Sequence, residues 1–162
     1  MAHKTNTKVQ SSRLLLILQV VITTAAPTTV TPIKEFWFYK RRMEWVEAVQ
    51  YCATKGLRLA VISSVSELQR AQSVVKRANE PAWLAGNDIS FEGHWKWAMG
   101  SLDDWSSFIN AGGALGLEFN WKDGKPHRRD DEDCLFMNDD GEFDDNECNK
   151  DNKYVLCDDG TN

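Results

Sequence analysis

Cys134-Leu135-Phe136-Met137-Asn138-Asp139-Asp140-Gly141-Glu142-Phe143-Asp144-Asp145-Asn146-Glu147-Cys148 is the stretch on which the reading of this chain turns. It holds a short apolar piece, then Asn, Asp and Gly, then acids around a single Phe, and a cysteine stands at each end. Just upstream are Asp130, Asp131, Glu132 and Asp133, so the run from Asp130 to Asp145 holds nine acids and no base. Such a run is either a solvated loop or a place for a cation. Working outward, two further cysteines flank it at a distance, Cys52 and Cys157. An even cysteine count suggests two disulfides, with three possible connectivities. Zinc is the competing reading, but no Cys-x-x-Cys pair and no His near a Cys supports it. Pairing Cys134 with Cys148 would close a short loop around the acids, and pairing Cys52 with Cys157 would tie the two ends together. On chain entropy each bridge is worth about 3 to 5 kcal/mol, and spacing alone does not choose between pairings.

Disulfides require export, and the amino-terminal residues provide for it. Lys4, Lys8 and Arg13 precede the apolar run Leu14-Leu15-Leu16-Ile17-Leu18-Gln19-Val20-Val21-Ile22, and Thr23 to Ala26 are small. The run is shorter than the roughly 20 residues that span a bilayer, so it reads as a cleaved signal, not an anchor. The expected layout is a signal peptide at 1–26, a linker at 27–35, one domain at 36–158 and a tail at 159–162. A secreted, extracellular location and no membrane insertion follow from it. The chain has 19 Lys plus Arg against 24 Asp plus Glu; without Lys4, Lys8 and Arg13, 16 stand against 24, a net charge of −8. That balance argues against nucleic acid and anionic membrane as partners.

Inside the domain, Trp45, Ala48, Val49 and Cys52 recur at intervals of three and four, and Gly56 offers a left-handed cap, which predicts a helix over 44–55. A short strand is expected over Leu57–Ile62. Ser64-Val65-Ser66-Glu67 then reads as a capping box for a second helix carrying Leu68, Ala71, Val74 and Val75 and ending before Pro81. From Trp83 onward short apolar pieces alternate with Gly, Asn and Asp: Trp83-Leu84-Ala85, Trp95-Lys96-Trp97, Cys134 to Met137, Tyr154-Val155-Leu156. The interval Met99 to Asn120 has weak periodicity and reads as a functional loop region.

These pieces, taken in order, resemble the C-type lectin domain. Trp45-Val46-Glu47-Ala48 with Cys52, Gly56 to Ala60, Trp83-Leu84-Ala85-Gly86, Trp95-Lys96-Trp97, Gly141 to Asp145, Cys148 and Tyr154 to Cys157 carry the likeness, which covers Phe36 to Asp158. The resemblance implies an α+β fold, two helices flanking small antiparallel sheets with a long loop region. It also implies two disulfides, Cys52 with Cys157 and Cys134 with Cys148.

In sugar-binding members of that family a calcium ion is held by a Glu-Pro-Asn or Gln-Pro-Asp tripeptide, a separate Glu and a Trp-Asn-Asp tripeptide, and sugar hydroxyls complete its shell. Here Phe143-Asp144-Asp145 stands in the last place and Glu132 in that of the separate Glu, so the resemblance implies Glu132, Asp144 and Asp145 as metal ligands. Lys125-Pro126-His127 replaces the first tripeptide, exchanging two oxygen donors for an ammonium and an imidazole. Calcium binding is then weak or lost: either Lys125 swings into solvent and the remaining carboxylates hold calcium weakly, or Lys125 replaces the ion and neutralises the three carboxylates directly. Pro126 resembles a family proline that is often cis. Asp131 and Asp133 are available for an auxiliary calcium site, with Arg128 where another acid is expected. Lys125, His127, Glu132, Asp144, Asp145 and Trp121 are the expected ligand-binding residues; Trp83 and Trp97 are expected in the core.

These residues bear on three functions. A glycan or glycoprotein partner fits a lectin; a calcium-independent protein-binding module of the same fold is the alternative. An enzyme does not fit, because the cysteines are committed to bridges and no Ser or Cys nucleophile has a motif.

Overall fold

The computed structural model describes residues 32–98, 105–109 (backbone), 121–127, 129 and 131–161. The expected signal peptide, most of the linker, Arg128, Asp130 and the greater part of 99–120 lie outside the described residues.

Strand β1 (Phe36–Met43) leads into helix α1 (Trp45–Thr54), which turns Trp45, Ala48, Val49 and Cys52 inward at the expected spacing. The Glu47 carboxylate accepts the Glu44 N–H (3.3 Å), and the amides of Gly56 and Leu57 close the last turn on Ala53 and Cys52. Gly56 has φ +70°, the left-handed conformation that lets the chain leave the helix without Cβ strain. The next strand is shorter than expected: β2 is only Arg58–Leu59. The reason lies in partners far along the chain, since the Val61 N–H is taken by the Asp158 carboxylate (2.8 Å) while Ala60 bonds to Leu156 O and receives Ala85 N–H.

Helix α2 (Val65–Ala78) starts at Ser64, whose side chain accepts the Glu67 N–H (3.2 Å), and stops at Asn79 in left-handed conformation. The reciprocal half of the expected capping box goes elsewhere. Glu67 accepts the Ser63 N–H (2.7 Å) and pairs with Lys34 (2.8 Å), whose ammonium also reaches Val61 O (3.2 Å). Lys34 is therefore a buried residue of the domain and not part of a free linker, because its charge is spent inside. 

Strands β3 (Ala82–Asn87), β4 (Trp95–Ala98), β5 (Trp105–Ile109), β6 (Cys134–Met137), β7 (Phe143–Asn146) and β8 (Lys153–Asp158) complete the domain. They join with β1 and β2 in a single connected sheet with a main path β1-β8-β3-β4-β5; β6 links β3 to β7, and β2 lies on β8. All pairs are antiparallel except β3 with β8, so the sheet is mixed. β5 lies within the interval read as loop, paired to β4 from Trp95↔Ile109 to Ala98↔Trp105. Trp83 and Trp97 are fully buried, as expected, and so are Trp45 and Trp95. Trp45 donates to Leu84 O and Trp83 to Met43 O (both 2.8 Å), which satisfies the polar end of two large apolar rings.

The two disulfides are those the resemblance implied, Cys52–Cys157 and Cys134–Cys148, with Cα separations of 5.7 and 5.1 Å. The first sits beside the pairing Phe36↔Asp158 of β1 with β8, so the start and end of the domain are joined by sulfur and by sheet. The second pins β6 to the chain leaving β7. No helix among the described residues is long and apolar enough to cross a membrane.

Candidate functional site

The site is built on β7. Opposite β6 in the register Leu135↔Asp145 and Phe136↔Asp144, this strand presents two acids on successive residues. At Gly141 (φ +82°) the β6–β7 turn bonds to α2: the Gln72 side-chain amide donates to Gly141 O (3.0 Å), and a Cβ there would lie 2.7 Å from Lys76 Cε. Along the other side of β7, Trp121 bridges to Phe143, and the Lys122 N–H bonds to Phe143 O (2.9 Å). The chain then turns, Lys125 N–H to Lys122 O (2.9 Å), passes a cis Lys125–Pro126 bond and returns at His127, whose N–H donates to Asp145 Oδ2 (2.6 Å).

The consequence is that Lys125 Nζ lies inside a cage. Asp144 Oδ1 is 2.6 Å away, Asp145 Oδ1 2.7 Å, His127 Nδ1 3.0 Å, Asp145 O 3.2 Å and Glu132 Oε2 3.6 Å. Lys125 is 13 % exposed in its side chain, Asp145 fully buried and Glu132 18 % exposed. His127 Nδ1 also bonds the Glu132 carboxylate. One ring nitrogen can accept from the ammonium or donate to the carboxylate, not both, so these contacts compete for it. Burial opposes charge on Lys125, but the hydrogen bonds to Asp144 and Asp145 outweigh it and hold the ammonium above its ordinary pKa. Glu132, where burial is likewise outweighed by the His127 bond and the Lys125 charge, is held below the usual carboxylate range. Longer pairs ring the cage, Lys122 to Asp144 at 3.8 Å and Arg129 to Glu132 at 3.6 Å.

A scan against family models matches residues 41–159 to the Lectin C-type domain. The chain belongs to the C-type lectin domain family. C-type lectin domain family 4 member M of Hylobates lar is 33% identical over 122 residues, covering 75% of this chain but only 28% of its own length. Lectin BRA-3 of Megabalanus rosa is 31% identical over 127 residues, covering 75% of this chain and 68% of that one. Among solved structures, the cow CD23 C-type carbohydrate-recognition domain, determined with a GlcNAc2Man3 oligosaccharide, matches with TM-score 0.58 and 26% identity over 77% of this chain and 86% of that chain. The lectins of this family bind carbohydrate and are not enzymes.

C-type lectin domains commonly bind calcium, and the residues here can be tested against that ion. His127, Glu132 and Asp145 do converge, with one donor atom of each within 4.8 Å of the others. The position between the carboxylates, however, is where Nζ lies. A divalent ion 4 Å from an ammonium is repelled by about 8 kcal/mol at an effective dielectric near 20. Calcium also takes six to eight oxygens, and an imidazole nitrogen is a poor donor for it. As arranged, the cage fits an ammonium and does not fit calcium beside it.

Of the residues expected to bind ligand, Lys125, His127, Glu132, Asp144 and Asp145 meet here, whereas the Trp121 ring packs edge-on to Trp95 (5.2 Å) and Phe143 (6.2 Å). For the expected auxiliary acids, Asp131 is exposed, whereas the Asp133 carbonyl receives the Asp88 N–H (3.1 Å). Asp88 itself went unnoticed in the sequence. It is 2 % exposed, accepts the Gly93 N–H (2.8 Å), and is pushed up to about 6 by burial, with the charges of Glu92 and Asp133 adding to the effect. Its only signal was Asn87-Asp88 ending an apolar strand with Glu92-Gly93 close behind.

Proposed function

We propose that this chain is a secreted lectin that binds glycan or glycoprotein with weak or no dependence on calcium. Residues 1–26 would act as an export signal, and the mature domain would begin ahead of Phe36, since Lys34 is already buried. The observation that carries the reading is the Lys125 ammonium 2.6 Å and 2.7 Å from Asp144 and Asp145. Sugar hydroxyls cannot then complete a calcium shell and would be met by hydrogen bonds from the rim. The His127 side chain is 37 % exposed, and the Lys122 and Arg129 heads are open to solvent with only long ion pairs to restrain them. The oligosaccharide present with the cow relative supports glycan as the ligand class. A glycan array probed with and without EDTA is the test: binding that survives chelator is expected, and silence in both buffers rejects the lectin.

A second reading, a calcium-independent protein-binding module, is favoured by the commitment of the site's carboxylate oxygens to Lys125 and His127, which leaves few acceptors for hydroxyls. An empty array together with a protein recovered on immobilised domain, and lost on K122A/R129A, would select it.

A further inference from the structure

We infer that Lys125 is the cation of this site, tethered to the chain, and that the cage admits a divalent metal only when that ammonium is removed. The geometry is that of a filled coordination sphere. Nζ has three protons: Asp144 Oδ1 at 2.6 Å and Asp145 Oδ1 at 2.7 Å take two, and Asp145 O at 3.2 Å takes the third when His127 Nδ1, 3.0 Å away, donates instead to Glu132. Charge-assisted bonds of this length are the strong ones, and these form where water is largely excluded.

The tether matters as much as the charge. The backbone is pinned on both sides of Lys125, at its own N–H by Lys122 O (2.9 Å) and at the His127 N–H by Asp145 Oδ2 (2.6 Å). The ammonium is therefore supplied at the high effective concentration of an intramolecular group, while a metal ion must arrive from solution and expel it. Expulsion breaks two buried bonds, so the free ion competes from a poor position.

Once the ammonium is gone, the donors that remain are not a calcium set. His127 Nδ1, Glu132 and Asp145 lie within 4.8 Å of one another, while Asp144 Oδ1, the shortest contact of Nζ, stands outside that converging set. One imidazole nitrogen and two carboxylates make a three-ligand set that suits a small borderline ion such as zinc better than calcium, which wants more oxygens. Three carboxylates without Lys125 also leave strong net negative charge in a shielded place, so the emptied cage should draw such an ion and be stabilised by it.

This deepens the calcium-independent part of the proposed function and is read without any sugar, so an empty glycan array and a failed metal result are separate outcomes. The experiment titrates the mature wild-type domain and Lys125→Gln with calcium chloride and with zinc chloride after chelator treatment, following heat of binding and Tm. Wild type is expected to keep its Tm in EDTA and to show no zinc or calcium response that Asp145→Asn removes. Lys125→Gln is expected to melt lower in EDTA, to bind zinc one-to-one, and to gain about 5 °C or more at saturation. A wild-type metal response abolished by Asp145→Asn overturns the inference, and so does a folded Lys125→Gln that takes up no metal. The wild-type arm decides whether or not the glutamine variant folds, and Lys125→Arg, which keeps a cation, should stay insensitive to metal.

Discussion

Replacing Asp88 with Asn should make the domain more stable at neutral pH. Asp88 is 2 % exposed, with one oxygen on the Gly93 N–H and the other, Oδ1, buried without a hydrogen-bond partner among the described residues. Burial pushes its pKa up to about 6, against 3.8 ordinarily, and Glu92 and Asp133 reinforce the effect. The folded protein therefore holds this proton more tightly than the unfolded chain does. The stability this gives is complete below pH 3.8 and is lost as pH rises through about 6, where the carboxylate must ionise inside the fold. The gap between folded and unfolded values corresponds to about 3 kcal/mol. Asn keeps an oxygen for Gly93 and carries no charge, but its amide nitrogen would face the unpartnered side, which gives back about 1 kcal/mol. Asp88→Asn should thus gain about 2 kcal/mol at pH 7 and lose about 1 kcal/mol at pH 3.5, where the ionisation cost is gone and the amide cost remains, which gives a rise in Tm of several degrees at the higher pH only. Thermal melts of both proteins in EDTA between pH 3.5 and 8 check this, and carboxylates common to the two cancel in the difference. A variant no more stable at pH 7, or a difference that does not grow between pH 4 and 6, refutes the reasoning.

Lys34→Met should strand Glu67 in the core without its 2.8 Å partner and cost about 3 to 5 kcal/mol, while Lys34→Met with Glu67→Met recovers most of it; urea unfolding of the two variants separates these outcomes. Gly141→Ala forces a side chain onto φ +82° and against Lys76 Cε, and should cost about 1 to 3 kcal/mol in the same assay. Removing Cys52–Cys157, which spans 105 residues, should destabilise by about 5 kcal/mol, and removing Cys134–Cys148, which spans 14, by about 3 kcal/mol, so the double Ala variant of the first pair melts lower.

Both helices were legible in the sequence because their signals are local: buried residues at three and four, Ser64 at one start, Gly56 at one end. The site's members were legible too, but only through the resemblance, which aligned Lys125-Pro126-His127 against a tripeptide of different chemistry. Sequence could say that an ammonium had entered; it could not say that Nζ would reach Asp144 and Asp145 across a turn. Partners far apart in the chain stayed hidden. Lys34 looked like linker until Glu67 was beside it, and Leu57–Ile62 looked like one strand because nothing local announces that Asp158 takes the Val61 amide. Asp88 escaped for the same reason, since its neighbour Asp133 is distant in sequence.

The joined ends of the domain have a practical meaning. Phe36 faces Asp158 across the sheet, Cys52 holds Cys157, and the Glu35 amide reaches the Asp159 carboxylate at 3.4 Å. A host protein could accept this domain as a loop insert with almost no gap to bridge, and a short peptide could close the two ends so that new termini are opened elsewhere. Such circular permutants would retain the Lys125 cage while freeing either end for surface attachment.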